Sequence, residues 1–447
     1  MGRRPKNKSE DPKPVKILRF KTPSILRGMK DILPNEQPYW DYIDKTVKEL
    51  AKKYNYQKIS LPILEEKNLF QRSIGKQTAL ISKELFCFSD PGNMNVCLRP
   101  EARSSIVRAY IKHGMSALPQ PVKLYYSGQM FRYERPQSGV YRQFNHLGFE
   151  ALGQTNPIMD SQLILTAHNF FKLINTKISL QINSIGCLAC RPNYTKELTK
   201  FLKGKKSRVC GECKKWITKD PLRVLECAEK TCLPIKEECP QIIDWLCEDC
   251  KSHFVSVLEY LDELDIPYEL NPHLVKSKGY YTKTIFEILP AEESESNNQN
   301  ALGGGGRYDN LVETLDGKPA GACGLVIGAE RVINQIKKQN SYVPQEENPA
   351  VFLAQLGEGA RKKGLILFEN LHKENIYAIE SFSTDSLKEQ LELATRKGIK
   401  FTLILGQKEV MDNTILLRDM EGGMQEIIDF KKIIPELKKK IEDAGKK

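Results

Sequence analysis

Apolar and polar residues recur along this chain with periods that predict both helices and strands. Residues 35–54 carry apolar side chains at helical spacing, and Pro38 stands near the start, where proline is tolerated. The segment Ile59–Leu64 is strand-like, but Pro62 lacks a backbone donor and therefore favours an edge or interface strand. Further helices are predicted at residues 102–113, 157–173 and 329–338.

Residues 121–153 alternate around a turn that contains proline and glycine, which predicts an antiparallel hairpin. On its first strand, Arg132 shares a face with Leu124, Tyr126, Gly128 and Met130. On its second strand, Glu150 shares a face with His146 and Gly148. If the two faces coincide, the sheet presents a cation and a carboxylate, and the glycines let a flat ligand approach the backbone. The alternative is a surface hairpin with solvated charges.

A second strand-like segment, Thr282–Ile288, is followed by the glycine run Gly303–Gly306, which predicts a turn. The run lacks the Gly-Lys-Ser/Thr ending of a Walker phosphate loop. Close packing of the backbone against a ligand and a plain β-bulge remain as interpretations. Residues 339–349 are polar, contain two prolines and predict a linker.

Beyond this linker, strand-like and helical segments alternate, which predicts a small α/β domain at residues 350–447. The strands are expected at residues 350–354, 376–379, 401–405 and 414–417. The helices are expected at residues 360–373, 385–398 and 429–442.

The length of 447 residues predicts two or three domains, each able to bury a core. No apolar run approaches the length of a membrane span. Residues 1–24 are basic and lack the apolar region of a secretory signal, so they predict a disordered, solvated tail. The formal charge of +12 favours a polyanionic partner such as nucleic acid, with a role in solubility as the alternative.

Nine of the twelve cysteines lie between residues 187 and 250, within a cysteine-rich segment at about 177–252. Eight of them are paired in sequence: Cys187/Cys190, Cys210/Cys213, Cys227/Cys232 and Cys247/Cys250. Three of these pairs have two residues between the cysteines, and Cys227/Cys232 has four. The two-residue spacing suits zinc, because it lets both thiolates reach one tetrahedral ion at about 2.3 Å. Eight thiolates would make about two structural zinc sites, with Cys239 left over. Free thiols or disulfides are the alternative, and spacing does not tell which pairs share an ion.

Several motifs follow one another in a fixed order: Arg27–Pro34, Leu98–Glu101, Phe131–Phe144, Gly148–Glu150, Leu274–Tyr281, Gly304–Asp309 and Gly328–Arg331. This set resembles the class II aminoacyl-tRNA synthetases in the form of the histidyl-tRNA synthetases. The resemblance implies an α+β catalytic domain on an antiparallel sheet, at residues 25–176 and 253–338. It also implies that residues 177–252 are an insertion and 350–447 an anticodon-binding domain, in which Ser386–Gln390 and Leu405–Glu409 match.

The resemblance further implies a cytoplasmic homodimer that uses ATP and Mg²⁺ to join histidine to tRNA(His). It assigns Arg132 to the α-phosphate of ATP and Arg331 to the γ-phosphate. It places at the histidine the positions Glu101, Arg103, His146, Glu150, Tyr281 and Tyr308.

The chain departs from the family pattern at the predicted substrate site. Lys276 replaces a catalytic arginine; it keeps the charge but loses the planar fork. The loss of one charge-assisted bond costs roughly 1.5–3 kcal/mol, or about 10- to 100-fold in rate. Arg103 stands where a small hydroxyl residue is usual, His146 where glutamine is usual, and Val140 where arginine is usual. A cation at Arg103 repels the ammonium of an amino acid, so either it points elsewhere or histidine binds weakly.

Three hypotheses follow from these observations. The first is a histidine–tRNA ligase with an altered amino-acid pocket and an insertion that zinc ions hold together. The second is a catalytically impaired paralogue that acts as an RNA-binding or regulatory protein, and the third is a related enzyme for another small substrate. A known degenerate copy, the regulatory subunit of ATP phosphoribosyltransferase, lacks the C-terminal domain that residues 350–447 predict here.

Overall fold

The chain was analysed as a computed structural model. It describes residues 22–76, 78–134, 140–276, 278–292, 300–344 and 349–445. Residues 1–21 of the predicted tail and 345–348 of the predicted linker lie outside the described residues. The chain divides into two compact units between Val343 and Pro344.

The first unit contains eleven strands and eleven α-helices within the described residues. The strands are β1 (Gln57–Lys58), β2 (Leu64–Glu66), β3 (Cys87–Ser89), β4 (Asn95–Leu98), β5 (Val122–Phe131), β6 (Gln143–Leu152), β7 (Ile178–Ser184), β8 (Glu269–Leu270), β9 (Thr282–Pro290), β10 (Gly303–Arg307) and β11 (Ala322–Gly328). The helices are α1 (Gln37–Lys53), α2 (Lys67–Ile74), α3 (Arg103–Lys112), α4 (Ile158–Leu173), α5 (Arg191–Gly204), α6 (Gly211–Trp216), α7 (Leu222–Leu225), α8 (Leu233–Glu237), α9 (Glu248–Glu263), α10 (Leu311–Thr314) and α11 (Ala329–Lys338).

The centre of this unit is an eight-stranded sheet with the order β1-β5-β6-β11-β10-β9-β7-β8. All of its pairings are antiparallel except the two at the edges, β1 with β5 and β7 with β8. A second sheet of three strands, β2-β4-β3, accompanies it. The predicted α+β fold on an antiparallel sheet is confirmed.

Two apolar cores lie on the two faces of the large sheet, because side chains alternate along each strand. On β6, Leu147, Phe149 and Ala151 face one core, where α1, α4, α9 and α11 pack. The opposite face of the same strand carries His146, Gly148 and Glu150. The other core includes residues of β5, α2 and α3 and of the cysteine-rich segment. The polar positions of the hairpin therefore face the second core.

Three predictions about local structure need correction. Gly303–Gly306 is not a turn but most of strand β10, with a β-bulge between Gly306 and Arg307. Residues 59–63 form no strand; they link β1 and β2, although the Ile59 amide donates to the Tyr125 carbonyl at 2.9 Å. Residues 178–184 form β7 of the large sheet, although the predicted cysteine-rich segment begins at residue 177.

The second unit is a five-stranded sheet flanked by helices. Its strands are β12 (Val351–Gln355), β13 (Ala378–Glu380), β14 (Phe401–Leu405), β15 (Thr414–Asp419) and β16 (Gln425–Asp429). Its helices are α12 (Glu358–Lys373), α13 (Leu387–Arg396), α14 (Gln407–Asp412) and α15 (Ile433–Gly445). The strand order is β13-β12-β14-β15-β16, parallel for the first three strands and antiparallel for the rest. Sequence patterning missed β16 and α14. Across the described parts of both units, no helix combines the length and apolar character needed to cross a membrane.

Candidate active site

The hairpin β5–β6 brings its polar positions to one face of the sheet. Directly opposite residues pair Leu124 with Glu150 and Gly128 with His146, so the two predicted faces coincide. The Arg132 amide continues the ladder by donating to the Arg142 carbonyl at 2.9 Å. The expectation that a ligand approaches the two glycines is wrong. A Cβ at Gly128 would overlap the Arg99 guanidinium, and one at Gly148 would overlap the Tyr126 ring.

A cavity of about 350 Å³ opens on this face. Seven of the predicted site residues line it: Glu101, Arg103, Arg132, His146, Lys276, Tyr281 and Arg331. Two predicted site residues, Glu150 and Tyr308, are fully buried beside it and bond to each other. Residues from motifs far apart in sequence therefore meet in one place.

Arg132 and Arg331 are held by backbone carbonyls. The Arg132 Nε donates to the Pro100 carbonyl at 3.0 Å, and its Nη1 lies 3.6 Å from Glu134. The Arg331 Nη1 donates to the Ala301 carbonyl at 2.7 Å. A carbonyl orients a guanidinium without neutralising it, so most of the positive charge of both groups remains available to an anion in the cavity.

Two further groups in the cavity are shifted away from their charged forms. Burial, reinforced by the positive charge of Arg132, lowers the pKa of Lys278 to about 7. Burial and neighbouring cations, chiefly Arg132, also lower the pKa of His146 well below its usual value. The Nδ1 of His146 is buried and has no hydrogen-bond partner among the described residues. Neutral His146 is thus available to a ligand.

Lys276 is paired with a carboxylate that sequence reasoning missed. Its Nζ lies 2.6 Å from an oxygen of Glu287, a buried residue on β9. Burial alone would lower the pKa of Lys276, but Glu287 outweighs it and the pKa is raised. A glutamate within the apolar run Ile285–Leu289 was the available signal, since a buried charge needs a partner.

Glu101 lies at the start of helix α3. Its carboxylate accepts hydrogen bonds from the backbone amides of Arg103 and Ser104, at 3.0 and 2.9 Å, and from the Ser104 hydroxyl. A negative charge is favoured at this position by the helix dipole. Glu101 therefore anchors α3 as well as lining the cavity.

Arg103 points into the predicted amino-acid pocket. Its Nε lies 3.1 Å from a Glu150 oxygen, and its Nη1 donates to the Tyr281 hydroxyl at 2.6 Å. The Tyr308 hydroxyl donates to the same carboxylate oxygen at 2.6 Å. Burial raises the pKa of Glu150, while the guanidinium of Arg103 opposes this shift. A Cβ at Gly324 would overlap the carboxylate, so glycine is required there.

The eight paired cysteines form two separate clusters. Cys187, Cys190, Cys247 and Cys250 make one, and Cys210, Cys213, Cys227 and Cys232 make the other. The closest Sγ–Sγ distances are 3.7–3.9 Å. When four thiolates bind a tetrahedral zinc with Zn–S distances of about 2.3 Å, their sulfur atoms lie about 3.8 Å apart. The S–S bond of a disulfide is much shorter, at about 2.05 Å. The geometry fits two four-thiolate metal sites and leaves Cys239 outside them.

Comparisons with known proteins agree with this architecture. The family model of histidyl-tRNA synthetase matches residues 28–332, and that of an anticodon binding domain matches residues 350–440. The histidine–tRNA ligase of Dehalococcoides mccartyi is 39% identical over 416 residues, 93% of this chain and 99% of the relative. That of Caldicellulosiruptor bescii is 37% identical over 93% of this chain and 98% of the relative.

Solved structures support the same relationship. The crystal structure of apo histidyl-tRNA synthetase from S. aureus superimposes with a TM-score of 0.76 at 33% identity. The alignment covers 93% of this chain and 99% of that one. The histidyl-tRNA synthetase of Nostoc sp. PCC 7120, at 18% identity and a TM-score of 0.64, shares the fold. The chain belongs to the histidyl-tRNA synthetase family.

Proposed function

We propose that this protein is a histidine–tRNA ligase. It activates histidine with ATP to histidyl-adenylate and transfers the histidyl group to the 3′ end of tRNA(His). The observation that carries the proposal is the convergence of Arg132, Arg331 and Lys276 on one cavity beside a carboxylate-lined pocket. The match of residues 350–440 to an anticodon binding domain supports tRNA as the partner.

The first step places negative charge on the α-phosphate as the histidine carboxylate attacks. Preorganised cations stabilise such charge because they need no reorganisation during the reaction. We assign Arg132 to the α-phosphate, since the Pro100 carbonyl fixes its direction and Glu134, 3.6 Å from its Nη1, offsets its positive charge only in part. Arg331, oriented by the Ala301 carbonyl, is assigned to the γ-phosphate. Lys276 lines the same cavity and supplies a third positive charge, which Glu287 offsets in part.

The activation of ATP by such enzymes uses Mg²⁺, which neutralises the charge of the pyrophosphate. Mg²⁺ prefers carboxylate oxygens and keeps several waters. Glu287 fits this role: one oxygen pairs with Lys276, and its Oε2 is buried without a hydrogen-bond partner among the described residues. We assign that oxygen as the protein ligand for the ion.

The amino acid is assigned to the wall opposite the phosphates. Glu101, at the start of α3, meets the α-ammonium group, and neutral His146 offers its unpaired Nδ1 there. Glu150, Tyr281 and Tyr308 are assigned to the imidazole. Arg103 joins Glu150 to Tyr281, and the Tyr308 hydroxyl donates to Glu150 directly.

We also propose that each cysteine cluster holds one structural zinc ion. Four thiolates leave no open position for a water, so the ions would hold the fold together and take no part in the reaction. The 3.7–3.9 Å sulfur separations support this assignment.

A cytoplasmic homodimer completes the proposal. Residues 59–63, which contain Pro62, form no strand and lie between two short strands. We assign this segment to the interface between two copies. Light scattering on the purified protein is expected to give about twice the monomer mass of 51.0 kDa. A monomeric mass contradicts the assignment.

Pyrophosphate exchange tests the function directly. The purified protein is incubated with ATP, labelled pyrophosphate and each of the twenty amino acids in turn. Histidine-dependent exchange is expected, followed by charging of tRNA(His). The Arg132→Ala variant is expected to lose exchange, whereas Arg72→Ala, on the exposed side of α2, is expected to keep it. Exchange with a different amino acid, or none, contradicts the proposal.

A further inference from the structure

One side chain in the amino-acid pocket already makes the contacts that an amino-acid side chain would make. Arg103 is 2% exposed, and its guanidinium joins the Glu150 carboxylate to the Tyr281 hydroxyl, at 3.1 and 2.6 Å. The rings of Tyr280, Tyr281 and Tyr308 surround it, with centroids 4.7–5.7 Å from its Cζ. Cation–π contacts of this kind stabilise a positive charge in a buried site.

The guanidinium and the imidazole of histidine share their chemistry. Both are flat, delocalised and carry N–H donors, so each suits a carboxylate on one side and a hydroxyl on the other. In this chain the Glu150 carboxylate already accepts such hydrogen bonds: its Oε2 accepts one from the Arg103 guanidinium and one from the Tyr308 hydroxyl. The other oxygen, Oε1, is buried and has no hydrogen-bond partner among the described residues.

We propose that Arg103 is an internal competitor for histidine: it occupies the place of the imidazole, and histidine binds only when Arg103 leaves. The inference rests on the proposed function, since it assigns Glu150 and Tyr281 to the substrate side chain. Arg103 is then a residue that sets the affinity for histidine, because it competes with the substrate side chain for Glu150.

The surroundings allow the side chain to leave. Arg103 is the first residue of α3 and also lines the 350 Å³ cavity, so rotation about its side-chain bonds carries the guanidinium into open space. Glu134 and Glu226 line the same cavity, together with the cations Arg132, Lys276, Lys278 and Arg331. Histidine therefore displaces the guanidinium from Glu150 into the cavity, away from the place of the imidazole.

The Arg103→Thr variant tests the proposal through the KM values for histidine and ATP in pyrophosphate exchange. Removing a charge-assisted competitor is expected to lower the KM for histidine about 10- to 100-fold. The KM for ATP is expected to stay the same. Arg108→Ala is the matched control, because Arg108 lies on the same helix and pairs with Glu65 outside the cavity. An unchanged KM for histidine in Arg103→Thr overturns the proposal.

Arg103→Thr leaves the buried Glu150 without its cation and could fail to fold. Arg103→Lys keeps a positive charge beside Glu150 but loses the planar fork, and its KM for histidine is expected to fall by a smaller factor. A KM for histidine in Arg103→Lys equal to that of the natural protein contradicts the proposal, whatever the threonine variant does.

A binding experiment separates failure of this inference from failure of the proposed function. Free imidazole is titrated calorimetrically into the natural protein and into Arg103→Thr. Binding to the variant alone supports the internal competitor, even if neither protein exchanges pyrophosphate with histidine, which would refute the ligase assignment only. Equal binding to both proteins, or binding to neither, overturns the competitor.

Discussion

The substitution Cys232→Ser tests whether metal binding holds the cysteine-rich segment together. Cys232 is fully buried, and its Sγ lies 3.8 Å from that of Cys213 in the second cluster. Serine replaces a thiolate by a neutral hydroxyl, which zinc binds poorly at such a site. We expect the variant to carry about one zinc per chain in place of about two.

The magnitude follows from the local structure. Helices α6, α7 and α8 around this cluster have only 6, 4 and 5 residues, too short to be stable alone. A structural zinc contributes on the order of 10 kcal/mol, which matches the whole stability of a typical domain, about 5–15 kcal/mol. Loss of the ion is therefore expected to unfold residues 209–232 locally.

The change should also reach the active site. Glu226 precedes a cysteine of the second cluster and lines the active-site cavity. Asp220 and Arg223, from the same segment, lie beside Arg132 around an adjoining cavity. If the segment loosens, this wall of the site is lost, and we expect histidine-dependent exchange to fall along with the zinc content.

Three assays measure the outcome: elemental analysis, limited proteolysis and pyrophosphate exchange. Cys239→Ser is the matched control, since Cys239 is buried in the same segment but belongs to neither cluster. The control is expected to keep two zincs and resist protease. Two zincs in Cys232→Ser, or equal cleavage of the two variants, would refute the reasoning.

Three other substitutions have defined outcomes. Lys276→Met removes a charge-assisted contact and is expected to slow pyrophosphate exchange about 10- to 100-fold. A normal rate would show that Lys276 only neutralises the buried Glu287 carboxylate and takes no part in catalysis. The Lys278 amine lines the cavity assigned to ATP, has a pKa of about 7 and is positively charged below that pH. The KM for ATP should therefore rise as the pH increases through 7, because this positive charge is lost. That rise should be absent in Lys278→Met; if it persists there, another group causes it. Arg307→Met leaves the buried Asp160 carboxylate without the guanidinium that pairs with it. Urea denaturation is expected to show a loss of about 3–5 kcal/mol in the free energy of unfolding, while the KM values stay the same. An unchanged urea midpoint contradicts this prediction.

Local alternation in the sequence determined the floor of the site. Because side chains in a strand alternate with a period of two, Arg132 could be grouped with residues 124–130 on one strand, and Glu150 with His146 and Gly148 on the other. The pairing of Gly128 with His146 then showed that the two faces coincide. Local spacing likewise singled out the eight cysteines as candidate metal ligands, since a gap of two residues, or of four between Cys227 and Cys232, limits how far two thiolates can separate. The order of motifs determined the family.

Contacts between distant segments were decided only by the tertiary structure. Cys187 and Cys190 share a cluster with Cys247 and Cys250 because the chain folds back after 60 residues. No local sequence pattern predicts that contact. The glycines of β10 carry no side chains, so they have no alternation to mark a strand, and the packing of their neighbours decides the matter. The direction of Arg103 is the sharpest case. The sequence showed only that a cation stands where a small residue is usual. In the folded chain the Arg103 guanidinium points towards Glu150, because a buried charge needs a partner within reach.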